Sequence, residues 1–259
     1  MNFYNQFFLA FRSYHKAFKY INENKLWKLF LLPSLITLLI SLVIGYLAWI
    51  SSDDIVEYLI RVFEVRNLAD SWGVIIEFFL VLLIRGLALF LYLKIYRYFV
   101  LFILAPILAY ISQRIYCLRE GTDFSFEAKV FWKKIARGIV IAFQNLIIEV
   151  PLTTFLLFLS LVITWLAPLG PLFVLVVESY FFGLAMIDYR NACIGMRIKE
   201  SRNYALNNTG LAIGNGLYFN LLLLIPVIGV VIAPILALIA GGMAASENDK
   251  NSAHADNIS

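Results

Sequence analysis

The stretch LFLLPSLITLLISLVIGYLAWI, from Leu29 to Ile50, decides the fold class of this chain. It contains 22 consecutive residues without a charged side chain. A helix needs about 20 residues to cross a hydrocarbon core of about 30 Å, and buried helices of soluble proteins seldom stay apolar for that length. We therefore predict a long transmembrane helix over residues 26–50.

The composition extends this interpretation to the whole chain. Of its 259 residues, 62% are hydrophobic and only 15% are charged, and the mean hydropathy is +0.83. Soluble domains are about 45–50% apolar and about 25% charged. The chain is thus predicted to be a multi-pass integral membrane protein. Its net charge of +4 does not indicate a nucleic-acid partner, because the basic residues flank apolar segments and act as topology signals.

The distribution of lysine and arginine predicts which segments face the cytoplasm. Basic residues precede the first span and dominate residues 114–137, whereas residues 51–72 form an acidic loop. A second long helix over residues 72–114 would therefore return the chain to the inside. Both termini are predicted to be cytoplasmic.

The N-terminal residues 2–21 are predicted to form an amphipathic helix. Its large apolar side chains recur every three or four residues, while basic side chains occupy other faces. Such a pattern is typical of a helix lying in the membrane interface, and the alternative is a helix packed on the rest of the protein. The apolar stripe consists of Phe3, Phe7, Phe11, Tyr14, Phe18 and Ile21.

The second half of the chain contains two apolar segments, 138–187 and 211–245, each broken near its middle by proline and glycine. The breaks carry no charge, which is unusual for turns in external water. We predict two helical hairpins that dip into the membrane and return, with full crossings as the alternative. Broken helices persist at that depth only where protein or water satisfies the backbone. The breaks read Ala167-Pro168-Leu169-Gly170-Pro171 and Ile225-Pro226-Val227-Ile228-Gly229.

These segments together predict the domain organisation. Residues 1–245 would form a single all-α membrane domain. It would contain an N-terminal amphipathic helix, two long transmembrane helices and two Pro/Gly-broken membrane-dipping hairpins. The polar residues 246–259, rich in Asn, Ser and Asp, are predicted to be a disordered tail.

Charged residues within apolar segments need a physical explanation, because each costs about 2.5–3.5 kcal/mol on insertion. Glu77 and Arg85 lie eight residues apart on the second long helix, close to one face. Arg85 is a candidate contact for an anion, and the alternative is an ion pair with Glu77 or Glu178. Glu149 and Glu178 lie in the first hairpin and are interpreted as hydrogen-bonding groups between helices, with proton-coupled carboxylates as the alternative.

A glycine-rich run, Gly210-Leu211-Ala212-Ile213-Gly214-Asn215-Gly216, opens the second hairpin. It lacks the preceding strand and the lysine of a phosphate-binding loop. Glycines at this spacing favour close helix packing. The alternative is an anion site at the helix N-terminus, where free amides and the helix dipole favour negative charge. The candidate contacts of that site are Gly210, Gly214, Asn215 and Gly216.

The sequence offers no catalytic constellation. Its histidines, His15 and His254, and its cysteines, Cys117 and Cys193, form no metal-ligand or nucleophile–base spacing. We therefore predict that the chain is not an enzyme and that it uses no metal and no cofactor.

Several motifs occur together in one order along the chain. They are Leu104-Ala105-Pro106, Arg137-Gly138 with Asn145 and Glu149, Asp188-Tyr189, Gly210 to Gly216, and Ile225 to Gly229 with Pro234. In this order and spacing, over roughly residues 5–245, the chain resembles the etoposide-induced membrane protein family, which includes the bacterial CysZ-type sulfate permeases. The resemblance implies the same arrangement of amphipathic helix, two spanning helices and two dipping hairpins. It also implies a homo-oligomer in the bacterial inner membrane and, for the CysZ branch, sulfate uptake.

The resemblance also suggests one further anion contact. CysZ-type proteins resemble one another in a Gly-Leu-Arg motif just before the first span, and the matching stretch here is Lys25-Leu26-Trp27-Lys28. Lys28 keeps the positive charge, as a point charge without the fork of arginine. The expected function is therefore a permease for an inorganic anion, with sulfate as the first candidate. Membrane lipids are its expected partners. The alternative is a non-transporting membrane scaffold of the same family.

Overall fold

The computed structural model describes residues 1–28, 98, 99, 101–124, 127–225 and 228–256, with isolated positions between 31 and 58. The chain divides into two compact units, Met1–Leu38 with Leu101–Ser259, and Leu39–Val100. All elements below belong to the first unit. Most of the two predicted long helices, including Glu77 and Arg85, lies outside the described residues.

The described residues form helices and no strands, which confirms the predicted all-α fold class. Within the described residues, three helices, α2, α3 and α4, are long and apolar enough to cross a membrane. A six-residue 3₁₀ segment, Thr164–Leu169, joins α3 to α4. The α-helices are α1 (Phe3–Glu23), α2 (Leu101–Glu120), α3 (Ala128–Val162), α4 (Gly170–Cys193), α5 (Ile198–Asn207), α6 (Thr209–Leu223) and α7 (Ile228–Asp256).

Helix α1 forms where the amphipathic pattern predicts it, but its buried face shares only Tyr14 and Ile21 with the predicted apolar stripe. The buried face packs against α6 and α7, because its small side chains allow a close approach. Phe3 and Phe18 of the predicted stripe are exposed. The helix is thus packed on the protein and also presents aromatic side chains at the surface. The buried residues are Gln6, Leu9, Ala10, Ser13, Tyr14, Ala17 and Ile21.

Close approach of backbones also holds α4 against α6. An ideal Cβ at Gly183 of α4 would overlap the carbonyl group of Ala212, and one at Gly216 of α6 would overlap that of Ser179. Only glycine fits at such crossings, so the two helices meet at van der Waals distance along this contact. The aromatic rings of Phe182 and Phe219 stack beside it, with centroids 3.5 Å apart.

The two hairpins differ in the length of their helices. The first joins α3, of 35 residues, to α4, of 24 residues, and Pro171 occupies the first turn of α4. The second begins with α6, whose 15 residues span only about 22 Å. That length is shorter than a hydrocarbon core of about 30 Å, which is consistent with a dipping hairpin. Re-entrance of both hairpins stays a prediction.

The predicted disordered tail is wrong for residues 246–256, because α7 continues to Asp256. Three polar side chains of this extension bind neighbouring helices. Glu247 lies 2.6 Å from Lys16 of α1, and Asp249 lies 2.6 Å from Arg190 of α4. Asn248 donates a hydrogen bond to Asn208 over 3.0 Å. The polar composition indicated disorder, but these partners order the segment.

Candidate functional site

The glycine run of α6 lies in buried helix contacts. Gly210 faces the carbonyl oxygen of Phe3, and an ideal Cβ at Gly214 would lie 2.8 Å from the carbonyl oxygen of Phe7. Carbonyl oxygens repel an anion, and α1 covers the start of α6. The geometry therefore favours helix packing over the anion-site interpretation of this run.

The side chain of Asn208, just before α6, holds α1 and α7 to this helix start. Its Oδ1 accepts hydrogen bonds from Gln6 Nε2 at 2.8 Å and from Asn248 Nδ2 at 3.0 Å. The side chain makes no capping bond to the amides of α6. The side chain therefore joins three helices instead of capping α6.

Asn215 is the polar residue of the run, and it is buried, with 1% of its surface exposed. Its backbone carbonyl accepts a hydrogen bond from the Tyr14 hydroxyl at 2.7 Å. Its carboxamide makes no hydrogen bond to the described residues. Gly241 of α7 gives it room, since an ideal Cβ there would lie 2.7 Å from Nδ2.

The remaining predicted residues are not gathered around one point in the described structure. Lys28 is exposed, and no hydrogen bond or ion pair joins it to the glycine run among the described residues. Glu149 is buried on α3, with 1% of its surface exposed, and Glu178 is partly buried on α4. Both carboxylates have interaction partners. Arg85 and Glu77 are outside the described residues.

Sequence reasoning missed an ion pair that closes the first hairpin. Arg137 Nε donates to Asp188 Oδ2 at 2.9 Å, and Arg137 Nη2 donates to Asp188 Oδ1 at 2.6 Å. The two side chains are 13% and 5% exposed. Arg137 Nη1 also donates to the carbonyl oxygen of Met196. The sequence could have indicated this pair, because Arg137 directly precedes and Asp188 directly follows the segment 138–187. The two ends of an antiparallel hairpin lie close together, so opposite charges there can meet.

A second cluster joins α4, α5 and α7. Arg190 Nη2 lies 2.6 Å from Asp249 Oδ2, and the Tyr204 hydroxyl donates to Asp249 Oδ1 at 2.7 Å. Burial and this hydrogen bond raise the pKa of Tyr204 well above its ordinary value, so the phenol stays a donor. These groups satisfy one another and hold the three helices together.

A third polar contact links α5 to both helices of the first hairpin. Arg202 donates to Gln144 at 3.3 Å and to Asn145 at 3.4 Å, and Asn145 Nδ2 donates to the carbonyl oxygen of Phe181 at 3.1 Å. Asn145 is 1% exposed. Buried amides require such partners, so this contact also stabilises the bundle.

A cavity of about 520 Å³ lies between α1, the end of α2 and the last turns of α7. We name it the basic cleft, because its lining contains four basic and two acidic side chains and so carries a net charge of +2. Lys16 is paired with Glu247 at 2.6 Å, and Lys19 is near Glu23 at 3.7 Å. The charged lining residues are Lys16, Lys19, Arg119, Lys250, Glu23 and Glu247.

Two cations of the basic cleft are left without a counter-charge. Within the described part of the chain, Arg119 and Lys250 form no ion pair and no hydrogen bond. Both are exposed, and they come from different helices, α2 and α7. The cleft therefore offers unpaired positive charge from two helices to a bound anion.

Helices of this length and apolarity, joined by paired charges, define the chain as an all-helical integral membrane protein. The sequence model of the family described as "Sulfate transporter CysZ/Etoposide-induced protein 2.4" matches residues 13–234. The chain belongs to this family, which confirms the resemblance carried by its motifs. No individual curated protein matches it significantly.

Proposed function

We propose that this protein is a permease for an inorganic anion, with sulfate as the first candidate, in the bacterial inner membrane. Membership of the family supports a membrane protein related to transport. The observation that supports an anionic substrate is the basic cleft, with its net charge of +2 and two unpaired cations. An anion leaving water must exchange its hydration for donors and positive charge, and the cleft supplies both.

The proposed orientation follows from the same residues. Lys and Arg concentrate on the cytoplasmic side of membrane proteins, and the cleft gathers basic side chains from α1, α2 and α7. Anions would therefore meet the basic cleft at the cytoplasmic surface. Both termini are proposed to be cytoplasmic, and the protein is proposed to act as a homo-oligomer.

Lys28 and Arg85 remain the proposed contacts outside the cleft. A charge-assisted hydrogen bond contributes about 1.5–3 kcal/mol, and an exposed charge such as Lys28 contributes at the lower end because water screens it. Lys28→Ala is thus expected to lower uptake by up to about 10-fold without affecting insertion.

Uptake of radiolabelled sulfate in a host that lacks its own sulfate permeases tests the proposal. Cells expressing the protein should accumulate more label than cells with an empty vector, and excess unlabelled sulfate should compete. An inserted protein that gives no uptake above the vector would contradict a sulfate permease. The same assay with other inorganic oxyanions would then test the wider class.

A non-transporting scaffold is the second candidate function, and one observation favours it. Arg137 is paired with Asp188, and Arg190 with the half-buried Asp249, inside helix contacts. Such pairs bind helices together and are not available to a solute. A scaffold would show no anion flux in any assay, yet loss of these pairs would still unfold it.

A further inference from the structure

We propose that the basic cleft binds a tetrahedral oxyanion of the phosphate or sulfate type through Arg119 and Lys250. The oxyanion is either the phosphate group of an acidic phospholipid or a free inorganic ion. A lipid site goes beyond the proposed function. A free-ion site rests on the proposed function and locates the transported anion in the basic cleft.

The pairing of charges in the cleft separates supporting groups from binding groups. Glu247 and Glu23 neutralise Lys16 and Lys19. Arg119 remains unpaired among the described residues, and its planar guanidinium offers parallel N–H donors that match two oxygens of a tetrahedral anion. Lys250 adds a point charge from a second helix.

A buried arginine donor lies near Arg119. Arg119 also lines a smaller cavity, of about 30 Å³, together with Arg190 and Gly242. The Nε of Arg190 is buried there and has no acceptor within the described part of the chain. Buried donors are nearly always partnered, so the free Nε–H of Arg190, whose charge is otherwise paired with Asp249, leaves one donor for a negative oxygen near Arg119.

The surroundings of the cleft match the surface of a membrane. Phe18 and Leu118 are each 49% exposed and directly precede Lys19 and Arg119 in the sequence. Exposed apolar side chains next to basic ones are typical of protein surfaces that contact acidic lipid. A headgroup in the cleft would leave its acyl chains beside such side chains.

The order of the last turns of α7 makes this site possible. Lys250 lies in the segment whose composition suggested disorder, and it reaches the cleft because α7 continues to Asp256. The ion pair of Glu247 with Lys16 holds that segment on α1. The cleft is thus assembled from three helices that are distant in sequence.

Two binding measurements on the purified full-length protein test the site. One measures radiolabelled sulfate and inorganic phosphate with the protein in phosphatidylcholine nanodiscs. The other measures retention of phosphatidylglycerol by native mass spectrometry. The test variant is Arg119→Gln with Lys250→Gln, and the matched control is Arg12→Gln with Lys199→Gln, two exposed cations that do not line the cleft.

The test variant is expected to bind one of the ligands with an affinity about 30-fold lower, since each basic residue near such an anion contributes about 5-fold to the affinity. The control should change either affinity by less than about twofold. The ligand that is lost identifies the source. Glu23→Gln should strengthen binding of that ligand by about 5-fold, because it removes a negative charge and frees Lys19.

Three results would overturn the site: no binding of either ligand by the wild-type protein, equal losses in test and control variants, or weaker binding in Glu23→Gln. Failure of the site and failure of the permease are distinguishable in uptake assays on the same proteins. Uptake by a protein that binds neither ligand at the cleft would contradict the proposed site and leave the permease proposal standing. Binding at the cleft by a protein that gives no uptake would contradict the permease proposal and leave the site standing.

Discussion

Arg137 and Asp188 show how a charge is tolerated next to an apolar hairpin. Their two hydrogen bonds, at 2.9 and 2.6 Å, use both carboxylate oxygens, and the Met196 carbonyl takes a third donor. A buried pair of this kind is strongly destabilised when one partner is removed, because the other charge stays behind without compensation.

We expect Arg137→Leu to lower the free energy of unfolding by about 3–5 kcal/mol. The double variant Arg137→Leu with Asp188→Leu should recover most of that loss, since no unpaired charge remains. Thermal unfolding of the purified proteins in detergent measures both effects. Arg197→Ala is the control, because its pair with Glu200 is largely exposed. A single variant as stable as the wild-type protein would contradict the assigned pairing.

Gly216 and Gly242 give a second test at single residues. A Cβ at Gly216 would overlap the backbone of Ser179, whereas one at Gly242 would lie 3.5 Å from the Cβ of Arg190, an ordinary contact. Gly216→Ala should therefore destabilise the protein by at least about 1–3 kcal/mol. Gly242→Ala should be neutral or stabilising by up to about 1 kcal/mol, because alanine favours helix. Equal melting temperatures of the two variants would contradict the α4–α6 contact.

At the level of elements, the tips of the hairpins distinguish dipping from crossing. Trp165 is 74% exposed and Leu224 is 76% exposed, although both are apolar. Such exposure is expected if lipid surrounds them. Cysteines at these positions, with Cys117 and Cys193 replaced by serine, should react slowly with an impermeant thiol reagent from outside. Rapid labelling of both tips in intact cells would show that the hairpins cross the membrane fully.

The loops test the orientation of the helices. Thr122, between α2 and α3, and Lys199, on α5, are exposed and are predicted to be cytoplasmic. Cysteines there should react only after lysis. Cysteines at Ser52 or Asn67, in the acidic segment outside the described residues, should react in intact cells. Labelling of Lys199→Cys before lysis would contradict the predicted topology.

The elements that the sequence predicted best are those fixed by local chemistry. Apolar length identified the segment that forms the α3–α4 hairpin, and Pro168 of the predicted break lies in the 3₁₀ segment that joins the two helices. Most of the buried face of α1 and the helical residues 246–256 were missed, because partners distant in sequence decide both. Ala10 and Ala17 are buried by α6 and α7, and Glu247 is ordered by Lys16.

For the candidate site the same division holds. The pattern of residues 210–216 was compatible with packing and with anion binding, and only the carbonyl groups of α1 decide between them. The basic cleft could not be found from spacing, because Lys16, Arg119 and Lys250 lie far apart in the chain. Single basic residues beside apolar segments look alike in a sequence whether or not they have a counter-charge.

At the scale of the whole molecule, the described charges fall into two groups. The buried ones are paired between helices and stabilise the bundle, as in Arg137 with Asp188 and Arg190 with Asp249. Among the exposed ones, Arg119 and Lys250 lie unpaired in an open cleft. This separation is expected of a protein that binds anions at its surface and keeps its interior neutral.

The most direct test of anion transport is flux through the purified protein in liposomes of neutral lipid. With a sulfate gradient across the membrane, radiolabelled sulfate should enter these liposomes faster than protein-free ones, and unlabelled sulfate should compete. Liposomes containing correctly folded protein that take up sulfate no faster than empty liposomes would contradict the sulfate permease.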